Sequence, residues 1–316
     1  MAQVTGSPVQ SYADQVGGMS PGCATRVLCE DGARVFVKSV GSELNPDTPA
    51  LFRREVMALG LLGSSPRWAD LLASTEQDGW ITIVLEDVEG RHARLDDDAE
   101  MEHLCGATDE LSLILAERVP DPPEAGDFFG GGLVDLAAGF RKWAQGLHLA
   151  RSLAGSGAEE YAALVPPWIR AAAGEWAERV AVLGDCAAPQ LQHWDIRNDN
   201  LLVRPTGELV FVDWGTTAVG PGWADPLLAR LERVDDPWFD RAVHTSPALR
   251  AAGDDVITAF LVGFGTWLAY RAVTAADHNL PTLREFRQQE SRRTLTAAAR
   301  RLGRDPGDLG GPAERG

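Results

Sequence analysis

The sequence predicts an α+β fold in two lobes: a small β-rich N-terminal lobe and a larger, mostly α-helical C-terminal lobe. Three observations carry that expectation. At 316 residues the chain exceeds the size at which a single core tends to divide. Up to about residue 86 the apolar residues come in short β-rich runs punctuated by Gly, Pro and Asp-Gly. Beyond that point their spacing turns helical. The expected bounds are 1–86 for the first lobe, a hinge at about 84–90, 87–303 for the second lobe, and a disordered tail over 304–316.

The elements follow in order. "SYADQV", "CATRVLCE" and "ARVFVKSV" are separated by turn residues and read as a β-meander. "PALFRREVMALGLLG" places Leu51, Val56, Leu59 and Leu62 near helical spacing. "DGWITIVLEDVEG" reads as a turn, a strand and a polar exit. "DDDAEMEHLCGATDELSLILAERV" opens with acids that suit a helix N-terminus. A Pro/Gly-rich loop covers Val119–Gly132, and two longer helical segments are expected at roughly 133–154 and 157–183. A short hairpin follows, and then helices near 223–234, 254–275 and 281–302. No internal repeat is evident.

Composition narrows the function classes. Lys and Arg number 29 against 46 Asp and Glu, so the net charge is −17. Such a surface repels nucleic acid and anionic membranes. It serves solubility, attraction of a cationic molecule, or both. Cys23, Cys29, Cys105 and Cys186 lack metal-ligand spacing and read as thiols of a reducing compartment. "MAQVTGSPVQ" has neither the charged nor the apolar region of a secretion signal. Val256–Tyr270, the longest apolar stretch, is only about 15 residues long and holds two glycines, so a buried core helix is expected rather than a span. A cytoplasmic protein with no membrane partner is the expectation.

The chemistry concentrates in "LQHWDIRNDNLLVRPTGELVFVDWG", Leu191–Gly215. Asp195 precedes a strand and is expected in a loop between a helix and that strand. "PTGE" turns the chain back, and Asp213 ends the second strand. A short hairpin therefore gathers Asp195, Asn200 and Asp213 at one edge. Asn200 and Asp213 are oxygen donors suited to a hard cation such as Mg2+, which takes one or two carboxylates and completes its shell with water and phosphate. Asp195 is left to accept a proton from a hydroxyl nucleophile.

This segment resembles the catalytic loop and metal motif of the protein-kinase-like superfamily. It reads His193-Trp194-Asp195-Ile196-Arg197-Asn198-Asp199-Asn200, then Asp213-Trp214-Gly215. Trp194 and Trp214 stand where protein kinases carry Arg and Phe, and the pattern is similar to that of the aminoglycoside phosphotransferase family of small-molecule kinases. The resemblance covers about residues 15–275 and implies a protein-kinase-like two-lobed fold. It implies ATP, with GTP the alternative, and Mg2+ as cofactors. It assigns Asp195 to the acceptor hydroxyl and Asn200 and Asp213 to the metal. Arg197 would steady the transferring phosphate, since guanidinium binds phosphate bidentately. His193 would hold the loop from beneath.

The small lobe extends the match. Lys38 sits mid-strand among apolar neighbours in "VFVKSV" and needs a partner, because an unpaired buried ammonium is costly. Glu55 on the next helix matches the kinase Lys–Glu pair, with Glu43 the nearby alternative. "GGMSPG" falls at the family's nucleotide-covering turn, so Gly17, Gly18 and Ser20 would approach phosphates. By resemblance the Glu86 carbonyl and the Val88 amide face the adenine edge. Asp225 reads as an N-cap that, by resemblance, braces the catalytic loop. The interval from Gly215 to Ala224 is too short for a protein-kinase activation segment, which favours a small-molecule hydroxyl acceptor. Trp194 and Trp223 flank the site as acceptor contacts, whereas Trp143, Trp168, Trp176 and Trp267 read as core. The acidic run Leu95–His103 is a solvated helix start or a lure for an amine. The expected acceptor is an aminoglycoside or another amino-bearing natural product. A metabolite such as choline, a sugar, homoserine or a nucleoside is the alternative within the fold, and a non-catalytic nucleotide-binding regulator the alternative outside it.

Overall fold

The computed structural model describes residues 2–15, 22–275 and 282–304. Gly17, Gly18 and Ser20 lie outside the described residues, as does the expected tail from residue 305 onward. The architecture is α+β, with an N-terminal antiparallel sheet and a larger helical part. By density of internal contacts the chain forms two compact units: Met1–Asp135 with Gln190–Ala229, and Leu136–Pro189 with Arg230–Gly316.

The first unit begins with a short helix α1 (Ala2–Thr5) and strands β1 (Val9–Asp14), β2 (Cys23–Cys29) and β3 (Arg34–Gly41). Helix α2 (Thr48–Leu62) follows, then β4 (Leu71–Gln77) and β5 (Trp80–Glu86). The sheet order is β1-β2-β3-β5-β4, antiparallel throughout, so β3 is central. Lys38 on β3 lies opposite Ala24 and Ile83. Asp78 and Gly79 both take positive φ (52° and 79°) in the two-residue turn joining β4 to β5, as a hairpin of the primed type demands. The sequence reading missed β4. Its residues LLASTEQ are mostly exposed on an edge strand, so no apolar alternation marks them.

Asn45 Oδ1 accepts the backbone N–H of Asp47 (2.9 Å) and Thr48 (3.1 Å), and Pro49 fits the first turn of α2. The buried face of α2 is not the expected one. Phe52, Arg54, Glu55, Ala58, Leu59 and Leu62 are buried, whereas Leu51 and Val56 are half-buried. Two charged residues therefore lie on the inner stripe. Helix α3 (Asp98–Arg118) starts as expected, with Asp97 Oδ1 capping the N–H groups of Ala99 and Glu100.

Strand β6 (Val134–Asp135) ends the first stretch of this unit. Helices α4 (Leu136–Leu149), α5 (Gly155–Leu164), α6 (Pro167–Ala171) and α7 (Ala173–Ala181) belong to the second unit. The long helix expected over 157–183 is thus broken. Pro166 and Pro167 supply no N–H to an incoming helix, and α6 restarts with Pro at its first turn. The chain returns through β7 (Gln190–Gln192), the hairpin β8 (Leu201–Val203) and β9 (Leu209–Phe211), and β10 (Ala218–Gly220). β10 lies between β6, parallel to it, and β7, antiparallel. Asp195 therefore follows a strand, β7, rather than a helix. Trp68 bridges to Phe211 and meets Trp214 edge-on at 5.6 Å, tying the hairpin into the unit that carries the N-terminal sheet.

Helices α8 (Ala224–Leu231), α9 (Trp238–Ala242), α10 (Pro247–Ala252), α11 (Asp254–Thr274) and α12 (Leu283–Arg301) complete the described chain. α9 and α10 were not expected. α11 has 21 residues, long and apolar enough to cross a membrane by length and composition, yet 67% of its most apolar window is buried within the fold. It packs on α12, α4 and α7. Its glycines permit this closeness: a Cβ on Gly263 would meet Val180 at 2.8 Å, and one on Gly265 would meet Leu295 at 2.6 Å. Trp143 and Trp176 are buried here as expected, while Trp168 and Trp267 are half-buried.

Candidate active site

The central strand sets the first group. Lys38 Nζ donates to Glu55 Oε2 and to Asp213 Oδ1, each at 2.8 Å. Glu55 is 1% exposed and Lys38 14%, so the ion pair is desolvated, while the Asp213 side chain remains about half exposed (48%). Burial alone would depress the ammonium of Lys38. Asp213 and Glu55 more than reverse that and hold it above the ordinary lysine range. Burial raises the Glu55 carboxyl against the pull of Lys38, while the half-exposed Asp213 is held low by Lys38 despite partial desolvation. Glu43, the other candidate partner, instead accepts Trp80 Nε1 at 3.2 Å.

The second group is the loop between β7 and β8. Asn200 Nδ2 donates to the Asp195 carbonyl (3.0 Å) and to Asp195 Oδ2 (2.9 Å). Arg197 Nε stands 3.3 Å from Asp195 Oδ1, and its Nη2 holds Asp199 at 2.7 Å. Oδ2 of Asp195 is thereby held by a hydrogen bond and Oδ1 faces an ion-pair partner. Burial pushes the Asp195 carboxyl up to about 6, opposed by Arg197, and the neighbouring charge of Asp213 adds to the rise. Arg197 also acts on Asp213, lowering it. The two carboxylates and the guanidinium therefore share one electrostatic neighbourhood.

His193 is fully buried and edge-on to Trp214 at 4.5 Å. Its Nε2 donates to the Val212 carbonyl (3.0 Å), and its Nδ1 accepts the Asp195 N–H (3.3 Å). Burial drives its pKa down to about 4, so the ring is neutral and braces the loop as expected. Asp225 differs from expectation in its place, the first turn of α8 rather than the cap. Its oxygens accept the N–H groups of His193 (2.6 Å) and Trp194 (2.8 Å). Burial lifts its carboxyl to about 7 against those two donors. Trp194 and Asp213 take left-handed backbone angles (φ 63° and 64°), a conformation costing an ordinary side chain on the order of 1–2 kcal/mol. Trp194 and Trp223 are both half-buried.

At the strand exit, Glu86 binds Arg204 at 2.8 Å and donates its N–H to the Asp70 carbonyl. Val88 is buried at 4%, with its carbonyl 3.5 Å from Arg26, which pairs with Asp87 at 3.0 Å.

Two contributors escaped the sequence reading. His92 Nδ1 donates to the Asn198 carbonyl at 3.0 Å, on the loop between β7 and β8. Arg54, fully buried, donates to the carbonyls of Gly132 (2.5 Å), Gly215 (2.8 Å) and Phe128, and lies over the Phe128 ring at 5.2 Å. Burial lowers its pKa to about 10. Arg54 lies four positions before Ala58, on the buried face of α2 that the apolar spacing does not identify.

Among the described residues no cluster of three or more His, Cys, Asp or Glu forms a closed metal site. The donor set fits a Mg2+ carried in with phosphate. The amide nitrogen of Asn200 is committed to Asp195, which leaves Oδ1 as its coordinating atom, and Asp213 Oδ1 is engaged by Lys38 while the side chain stays half exposed.

No protein-family model and no curated protein matches the sequence. Solved structures share the fold. A thermostable mutant of aminoglycoside phosphotransferase APH(4)-Ia, in ternary complex with ADP and hygromycin B, is 16% identical with a TM-score of 0.61, over 94% of this chain and 97% of that one. The macrolide 2'-phosphotransferase of Brachybacterium faecium is 17% identical at TM-score 0.56, over 99% and 97%. The choline kinase of Streptococcus pneumoniae is 16% identical at 0.52, over 95% and 96%. The chain has the fold of these small-molecule phosphotransferases.

Proposed function

We propose that the chain is an ATP-dependent phosphotransferase that moves the γ-phosphoryl group to a hydroxyl of a small molecule, with an aminoglycoside or another amino-bearing natural product as acceptor. The observation carrying this reading is the double anchorage of Lys38 on Glu55 and Asp213 beside an Asp195 held by Asn200 and Arg197. A non-catalytic nucleotide binder has no use for all of these. In this reading residues 1–86 form the nucleotide lobe, the segment at about 84–90 is the hinge, and 87–303 carry the catalytic loop and the acceptor site.

Lys38 holds the α- and β-phosphates, Glu55 keeps it aimed, and the backbone at Glu86 and Val88 meets the base. Mg2+, held by Asn200 and Asp213, offsets phosphate charge when bound. Asp195 accepts the acceptor's O–H and orients its oxygen in line with the γ-phosphorus. The new O–P bond forms as the bond to the β–γ bridging oxygen breaks; the proton passes to Asp195 and ADP departs. Arg197 steadies the charge spreading over the transferring phosphoryl oxygens. The structural likeness to a choline kinase keeps a cationic metabolite as the second acceptor class.

The test is a mass-shift screen: purified protein, ATP or GTP, Mg2+ and a panel of hydroxylated antibiotics and metabolites. A product heavier by one phosphate is expected, and Asp195→Ala is expected to abolish it while nucleotide binding persists. Near-normal turnover by a folded Asp195→Ala variant removes the assignment of the base.

A further inference from the structure

The reading above leaves Arg54 without a role. Its guanidinium is fully buried, and among the described residues no carboxylate accompanies it. It spends its donors on three backbone carbonyls instead: Gly215, which closes the Asp213–Trp214–Gly215 turn, and Phe128 and Gly132, at the two ends of one glycine-rich loop. A buried cation neutralised only by carbonyl dipoles and one aromatic face is an expensive way to fill space. Methionine or leucine would pack the same volume without that cost.

The location explains the expense. Arg54 immediately precedes Glu55, and both are buried on α2. Glu55 reaches Asp213 through Lys38. Arg54 reaches the same turn two residues later, at Gly215. Leu51 completes the seat, since a Cβ on Gly215 would come within 3.3 Å of both its Cβ and its carbonyl oxygen. The turn is thus pinned to one helix at both ends. Its metal-directed aspartate holds a left-handed backbone angle that an unpinned turn would relax.

We propose that Arg54 is a positioning residue for the phosphoryl-transfer site, locking the Asp213–Gly215 turn onto α2 and coupling its geometry to the Phe128–Gly132 loop. This rests on the nucleotide-and-metal reading of Asp213. The coupling travels through one guanidinium, so disturbing the loop disturbs the turn.

The experiment titrates a fluorescent ATP analogue into wild type, Arg54→Lys, Arg54→Met and Phe128→Ala, in Mg2+ and separately in EDTA, with hydrogen exchange on the same samples. In wild type Mg2+ is expected to strengthen analogue binding. Arg54→Lys and Arg54→Met are expected to bind the analogue in EDTA as wild type does, because Lys38 and Glu55 are untouched. They are expected to lose about tenfold of the Mg2+-dependent gain, the scale of coupling along a contiguous network. Exchange is expected to quicken together at 128–132 and 214–217. Phe128→Ala, which keeps every guanidinium donor, is expected to quicken exchange at 214–217 because Arg54 donates to both Phe128 and Gly215, which keeps the test decisive should Arg54→Met fail to fold. An unchanged Mg2+ gain in folded Arg54→Lys, or exchange confined to 128–132 in Phe128→Ala, overturns the proposal and leaves the functional reading standing. Absence of Mg2+-dependent binding by wild type overturns both.

Discussion

At the scale of single residues, the site is an economy of few charges in little water. Lys38 is the shared cation of two acids, and Glu55 depends on it most because it is almost fully buried. Lys38→Met is therefore expected to cost about 3 kcal/mol in urea unfolding, the usual penalty for stranding one member of a buried pair. Adding Glu55→Gln is expected to recover part of that loss, since the amide needs no counter-charge. A double variant no more stable than Lys38→Met contradicts the pairing. The residues legible in advance were those whose spacing encodes chemistry: Lys38, Glu55, Asp195, Arg197, Asn200 and Asp213. Arg54 and His92 were not. Taken singly, an arginine or histidine reads as surface, and only the fold reveals the carbonyls that face it.

At the scale of elements, the start of α3 shows how local sequence and electrostatics combine. Asp97 caps two N–H groups, and Asp97→Ala is expected to cost about 1 kcal/mol of stability. Glu100, three residues on, accepts from both Arg91 and Arg94. Those hydrogen bonds, Arg91's first, hold its carboxyl down to about 2. A depressed carboxylate stabilises the fold fully above its unfolded value and loses that contribution as pH falls towards 2. Wild type is thus expected to lose stability along this acid limb more steeply than Glu100→Gln, as read by denaturant midpoints between about pH 2 and 5. Helices α2, α3 and α11 were legible, from apolar spacing, an acidic first turn and a long apolar stretch respectively. β4 was not, because an exposed polar edge strand lacks the alternation that betrays a strand. The break at Pro166-Pro167 was present in the sequence, but the apolar periodicity on either side masked it.

At the scale of the whole molecule, contacts group the β8–β9 hairpin with the N-terminal sheet, and residues 136–189 with the C-terminal helices. The sequence order conceals this. Trp68 meeting Phe211 and Lys38 meeting Asp213 are contacts between distant stretches, and no local pattern announces them. Net charge acts at this scale as well. With −17 distributed over the chain, cationic members of the acceptor panel are expected to outperform anionic ones. Their kcat/KM is expected to fall as NaCl is raised, because salt screens long-range attraction. A flat salt dependence for a cationic acceptor would confine the benefit of the acidic surface to solubility.

One ammonium spanning two carboxylates has a consequence for the order of events. When a polyphosphate claims Lys38, the aspartate it was neutralising is freed in the same instant and must find another positive charge. The cation riding on that polyphosphate is the nearest replacement. In the proposed reading, ligand entry and ion capture become a single swap of counter-ions, so the pair is expected to bind more readily than either traveller alone.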